Sequence, residues 1–206
     1  MDLYSLIAEG EHQQQDFKFE ISSTSKIARS LSAFSNTDGG RLLIGVKDNG
    51  KIAGVQSEEE MYMVEAAGTV YCNPPVACNM QTYRVEGKMV VIAEVLPASE
   101  RPVRAKMEDG SFCAFVRVAD ENIVASPVQM ELWRSEKRGG GSLIPFGEEE
   151  KQLLSILEMP EGLTLNQFVR RARLPRHKAI KLLSDFIRFG LAEQVFIGHA
   201  FKYKTT

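Results

Sequence analysis

The chain has 206 residues, 44% of them hydrophobic and 25% charged, with a formal net charge of −2, a composition ordinary for a soluble globular protein of one large or two small domains. It excludes a membrane-spanning helix, since no apolar run approaches the ~20 residues required, and Met1-Asp2-Leu3-Tyr4-Ser5 lacks the basic start and apolar run of a secretory signal. Cys72, Cys78 and Cys113 have no metal-ligand spacing and cannot all pair, so they read as reduced thiols of a cytoplasmic protein rather than a zinc site.

Along the chain, Ile27, Leu31 and Phe34 recur at helical spacing and predict a helix over 26–34. Arg41 to Val46 is a short apolar run that fits a buried strand, and Asp48-Asn49-Gly50 turns it into a second strand over 51–55. Ser57 followed by three glutamates marks a helix start that must end by Asn73-Pro74-Pro75. Strands over 76–84 and 89–96 join across Glu86-Gly87-Lys88, and another hairpin turns at Glu108-Asp109-Gly110 into a strand through Val118. A helix over 127–135, with Pro127 in its first turn, closes this part. Helices mixed with mostly antiparallel hairpins indicate an α+β domain over 1–137.

Gly139-Gly140-Gly141 cannot hold a helix or strand cheaply, so residues 138–145 read as a linker. Beyond it, over 146–206, the rhythm changes. Leu153, Leu154 and Leu157 face one side of a first helix. Thr164 caps a second helix with Leu165, Phe168, Val169 and Ala172 inward, and Ala179, Leu182, Leu183 and Phe186 stripe a third. Gly190 ends the third helix, and a hairpin follows around Gly198-His199. Three helices and a two-stranded wing describe a winged helix-turn-helix.

This second part carries ten Lys or Arg against seven Asp or Glu, while the remainder carries fifteen against twenty. Its cations concentrate in one acid-free run, with Arg170, Arg171, Arg173, Arg176, His177, Lys178 and Lys181 spanning the end of the second helix and the start of the third. In a helix-turn-helix that is the surface presented to a major groove, where phosphate neutralisation supplies affinity. A solvated basic face or a protein-docking winged helix is the plainer alternative.

The run Asn36-Thr37-Asp38-Gly39-Gly40 gathers polar groups at a double-glycine turn, and Asn36, Gly39 and Gly40 are the candidate contacts for a phosphate or cofactor. It is not a P-loop, because Val46 stands where the lysine belongs and no Ser or Thr follows Lys47. Glu11, Asp16 and Asp48 are the candidate metal-binding carboxylates. Their spacing alone is weak support: Glu11 and Asp16 need a bend between them, and Asp48 is where a turn wants an Asp in any case.

The runs Glu11-His12-Gln13-Gln14-Gln15-Asp16-Phe17-Lys18, Ser32-Ala33-Phe34-Ser35-Asn36-Thr37-Asp38-Gly39-Gly40 and Leu43-Ile44-Gly45-Val46-Lys47-Asp48-Asn49-Gly50 together resemble the Schlafen–AlbA family of DNA-binding domains. Some members of that family have also been labelled divergent AAA ATPases. Pro102-Val103, Phe115-Val116-Arg117-Val118-Ala119 and Ala125-Ser126 extend the resemblance, which covers about residues 9–135. It implies that Glu11, Asp16 and Asp48 correspond to the three carboxylates of a metal-dependent ribonuclease site in Schlafen proteins. Position 16 is Asp where the family pattern has Glu, and this chain holds one lobe where Schlafens join two, which a homodimer restores. Bacterial relatives with the same domain order resemble transcriptional regulators.

The first expectation is therefore a cytoplasmic, homodimeric DNA-binding transcriptional regulator, binding DNA in preference to RNA, with Lys18 and the seven basic residues of the second part at the interface. A nuclease using Mg²⁺ or Mn²⁺ at Glu11, Asp16 and Asp48 is the alternative. A nucleotide-sensing or protein-docking module without catalysis is the third.

Overall fold

A computed structural model describes residues 2–55, 57–137 and 147–206, and the chain divides into two compact units, 1–125 and 126–206. The linker expected at 138–145 lies outside the described residues. The architecture is α+β, with seven helices among the described residues and sheets that are antiparallel but for one pair.

The first unit runs α1 (Leu3–Glu9), β1 (Gln15–Lys18), α2 (Thr24–Asn36), β2 (Gly40–Ile44), α3 (Glu59–Thr69), β3 (Cys72–Asn73), β4 (Cys78–Val85), β5 (Lys88–Val95), β6 (Arg104–Lys106), β7 (Phe112–Val118) and β8 (Glu121–Val124). One sheet has the order β1-β2-β5-β4, with β1 and β2 parallel, and the other is β3-β6-β7-β8. Helix α2 joins them. Its Ile27, Leu31 and Phe34 share one core with Leu42, Ile44, Val91 and Ala93 of the first sheet and with Ala105 and Phe115 of the second. The opposite face of the first sheet is covered by Leu3 and Leu6 of α1, packed with Phe17, Leu43, Val90 and Ile92. Burial on both faces is why β2 and β5 are nearly continuous apolar runs rather than alternating ones. Ser25, Ser30, Ser32, Ser35 and Asn36 are also buried on α2, as a helix enclosed on several sides requires small or satisfied polar residues.

One element departs from expectation here. Residues 51–55 form no strand beyond a single bridge between Val46 and Ile52. Gly45 and Gly54 approach so closely that a Cβ on Gly45 would lie 2.8 Å from the Gly54 carbonyl carbon, and this crossing replaces the ladder. The turn itself forms, with the Gly50 N–H donating to the Lys47 carbonyl at 2.7 Å.

The second unit contains α4 (Pro127–Lys137), α5 (Glu148–Ser155), β9 (Leu163–Thr164), α6 (Leu165–Ala172), α7 (Arg176–Arg188), β10 (Ala192–Ile197) and β11 (Ala200–Thr205), with β10-β11-β9 as an antiparallel sheet. Thr164 caps α6 by accepting from the Gln167 N–H, and the Gln167 side chain accepts from the Thr164 N–H in return. Phe168, Ala179, Leu183, Phe186 and Tyr203 are its fully buried centre. Helix α4 packs here against α7, with Val128 in this core and the Tyr203 hydroxyl donating to Ser126 at 3.2 Å. The units thus divide at 125/126 rather than at the expected 137/138. The described residues contain no helix long and apolar enough to cross a membrane.

Candidate functional site

Glu11 and Asp16 meet because the chain bends between them. Helix α1 stops at Gly10 in the left-handed region, and His12 and Gln15 exchange backbone hydrogen bonds of 3.0 and 3.1 Å, folding Glu11 back alongside β1. The Glu11 carboxylate then accepts the Phe17 N–H at 2.9 Å. Asp16, buried, points from β1 towards α2, where it receives the Ser30 hydroxyl at 3.2 Å and the Lys18 ammonium at 2.8 Å. Arg117 from β7 completes the group. Its guanidinium lies 3.6 Å from Asp16, donates to Asn122 Oδ1 and to the Gln15 carbonyl at 3.0 Å each, and stacks over the Phe34 ring.

Burial raises the Glu11 pKa above its ordinary 4.5, and the hydrogen bond it shares with Asp16 adds to the rise. Burial pushes Asp16 upward as well, but Lys18, the bond from Glu11 and the Arg117 charge together outweigh it and hold Asp16 below 3.8. The two carboxyls thus shift in opposite directions, Glu11 up and Asp16 down. The three consecutive glutamines are structural ties: Gln13 donates to the Arg117 carbonyl, Gln14 to that of Asp38, and Gln15 to those of Leu6 and Gly10.

Asp48 does not join this group. Asp16 lies opposite Leu42 in the β1–β2 ladder, whereas Asp48 is exposed in the turn beyond β2, past the bend at Gly45. Among the described residues no three His, Cys, Asp or Glu side chains are placed to hold a metal ion. The expected Glu11, Asp16 and Asp48 site for Mg²⁺ or Mn²⁺ is therefore not assembled, and the oxygens of Asp16 already face an ammonium, a guanidinium and a hydroxyl.

Asn36, Gly39 and Gly40 are also differently employed. Asn36 is buried, donates to the carbonyls of Val103 and Phe115 at 2.8 and 2.9 Å, and accepts the Val103 N–H at 2.8 Å. No donor remains for a cofactor. A Cβ on Gly39, which has φ +73, would meet the Val95 carbonyl oxygen at 2.7 Å, and one on Gly40 would collide with the Phe34 ring. Both glycines serve close packing.

In the second unit the expected cations do share a surface. Arg170, Arg171, Arg173, Arg176, His177, Lys178 and Lys181 are all exposed, on the end of α6, the turn and the start of α7. Arg173 holds the turn in the left-handed conformation (φ 52, ψ 34). Helix α7 begins at Arg176 after Pro175, with no side-chain cap and no acid in its first turn. Arg176, His177 and Lys178 thus stand at the positive end of the helix dipole, the end that favours anions.

A profile of the family described as Schlafen, AlbA_2 matches residues 11–126. The chain belongs to the Schlafen AlbA_2 family. The AlbA_2 match covers nearly all of the first unit and ends where the second begins. No curated protein matches the chain. Among solved structures it is similar to the DIP2311 protein from Corynebacterium diphtheriae (17% identity, TM-score 0.49, 92% of this chain and 34% of that one). It is also similar to the N-terminal domain of a protein described as related to the ATP-dependent DNA helicase RecG, from Nitrosomonas europaea (21% identity, TM-score 0.45, 61% of this chain and 90% of that one). The chain spans about a third of the DIP2311 protein.

Within the AlbA_2 domain, the residue that organises the carboxylates is Arg117, together with Ser30 and Asn122, whose amide donates to the Ser30 hydroxyl at 2.9 Å. A lone Arg inside the apolar run Phe112–Val118 signals a buried, paired charge. Its partners Gln15 and Asp16 lie about a hundred residues upstream, beyond the reach of local pattern.

Proposed function

We propose that this AlbA_2 family member is a nucleic-acid-binding protein of regulator type, whose second unit is a winged helix-turn-helix that reads double-stranded DNA. Helices α6 and α7 form the helix-turn-helix, and the β10–β11 hairpin is the wing. One observation carries this reading. The start of α7 gathers cations where its own dipole disfavours them, at a cost to folding of about 0.3–1 kcal/mol each. Phosphate reverses the sign of that cost, because a polyanion meets side-chain cations and unpaired helix N–H groups at once. A plain solvated face has no such reason to place its charges there.

The test measures binding of a labelled DNA duplex against salt concentration. Replacing Arg176, Lys178 and Lys181 by Ala lowers affinity, and each phosphate no longer neutralised takes about 0.9 off the slope of log affinity against log salt. Lys178→Gln weakens binding yet leaves the melting temperature equal or higher, since it relieves the conflict with the dipole. Unchanged affinity and slope in the triple variant reject this interface. In the first unit it is Asp16 that reaches β7, through Arg117.

A further inference from the structure

The two edges of the first sheet differ in a way that points to a partner. At the β1 edge every outward backbone group is occupied by a neighbouring residue. The Gln15 carbonyl accepts from Arg117 and from the His12 N–H, the Phe17 N–H donates to Glu11, and the Phe17 carbonyl accepts from Lys18. Strand β4, at the other edge, is eight residues long and has no such cover among the described residues. Long open edges are ordinarily blunted by Lys, Pro, a bulge or an overlying loop. Cys78-Asn79-Met80-Gln81-Thr82-Tyr83-Arg84-Val85 contains neither Lys nor Pro, its ladder to β5 is unbroken, and Arg84 is its one charge.

Which groups face outward follows from the hairpin. Glu86 and Gly87 both have positive φ, so the turn is a two-residue type I′ loop closed by the hydrogen-bonded pair Val85–Lys88. Pairs alternate from there, and Tyr83, Gln81 and Asn79 bond to β5. Cys78, Met80, Thr82 and Arg84 therefore aim their N–H and C=O groups at the free edge. The Met89 carbonyl, opposite Arg84, agrees: it turns away from β4 to accept the Val55 N–H at 2.7 Å.

We propose that β4 pairs antiparallel with β4 of a second copy of this chain, Gln81 facing Gln81 across a two-fold axis normal to the sheet. This register sets Met80 of each copy against Thr82 of the other and Cys78 against Arg84, so all four outward residues are satisfied and no like charges oppose. A shift centred on Thr82 leaves Cys78 facing the turn at Glu86. Side chains agree on both faces: Cys78 and Met80 are half-buried on the α2 side, Tyr83 and Val85 on the α1 side. A continuing strand completes their burial, and the two four-stranded sheets become one of eight. The closed two-fold assembly carries two second units, matching a site with two half-sites, although the pairing itself does not depend on DNA binding.

Sedimentation and two cysteine variants test this without DNA. The wild type sediments at twice the chain mass at micromolar concentration. Thr82→Pro sediments at the chain mass with an unchanged circular dichroism spectrum, because the N–H it removes faces the free edge and no β4–β5 bond is lost. Gln81→Cys forms an intermolecular disulfide on mild oxidation, since facing residues of a non-hydrogen-bonded pair lie about 4.5 Å apart. Asn79→Cys, facing Tyr83, does not. A monomeric wild type overturns the proposal, as does a folded Thr82→Pro variant that remains dimeric. If Thr82→Pro does not fold, the cysteine pair decides: equal cross-linking of both variants, or of neither, rejects this register and interface.

Discussion

Arg117 and Asp16 show how single side chains hold the first unit together. Arg117 is buried and bonded to Asn122 and Gln15, so removing it strands acceptors that water cannot reach. Arg117→Met should lower stability by about 3–5 kcal/mol, read from urea unfolding. The carboxylates give opposite pH signatures. Glu11, with a raised pKa, contributes stability that is fully present below 4.5 and is lost as pH rises through its raised value. Asp16, with a lowered pKa, contributes stability present above 3.8 and lost as pH falls through its lowered value. Glu11→Gln mimics the protonated acid, so its stability relative to wild type should increase from acid to neutral pH; a constant difference would show that folding does not raise the Glu11 pKa. Glu11 and Asp16 were legible in the sequence as a pair needing a bend. The bend was not, because it depends on Gly10 and on two hydrogen bonds between residues that carry no periodic pattern.

At the scale of elements, Gly68 on α3 sets two effects against each other. Ala at a helix interior is worth about 1 kcal/mol over Gly, but a Cβ at Gly68 would collide with the Val76 carbonyl, whose N–H already bonds back to the Gly68 carbonyl. Gly68→Ala should therefore destabilise, by about 1–3 kcal/mol; a higher melting temperature would show that Val76 moves aside freely. Apolar spacing located α2, β2, α6 and α7, and turn chemistry located the β4–β5 hairpin. Strand β1 escaped because its four residues, Gln15 to Lys18, contain one apolar side chain, Phe17. Its place comes from pairing with β2 and from the ties made by Gln15. The strand expected at 51–55 failed for the converse reason, since the close Gly45–Gly54 crossing is a property of the folded pair and not of either segment.

For the whole molecule, the boundary at 125/126 has a consequence for dissection. A fragment of residues 126–206 keeps Val128 in its core and Ser126 on Tyr203, whereas one beginning at 138 loses both. The longer fragment should unfold cooperatively on heating and the shorter should melt lower or not fold at all; equal melting temperatures would mean that α4 adds nothing. The expected boundary lay at the triple glycine because composition changes there, but composition does not say which core a helix joins. The six Lys and Arg, with His177 among them, were legible outright, since charge in a short run needs no tertiary partner.

Asn36, Gly39 and Gly40 sit in one of the runs that carry the family resemblance, and all three serve the seam between α2 and the two sheets. Asn36 supplies bonds that no strand makes there, and the glycines give way to a ring and a carbonyl. In this chain the run is thus a joint between elements. The surfaces so assembled are where this chain's chemistry is carried, on residues outside that joint.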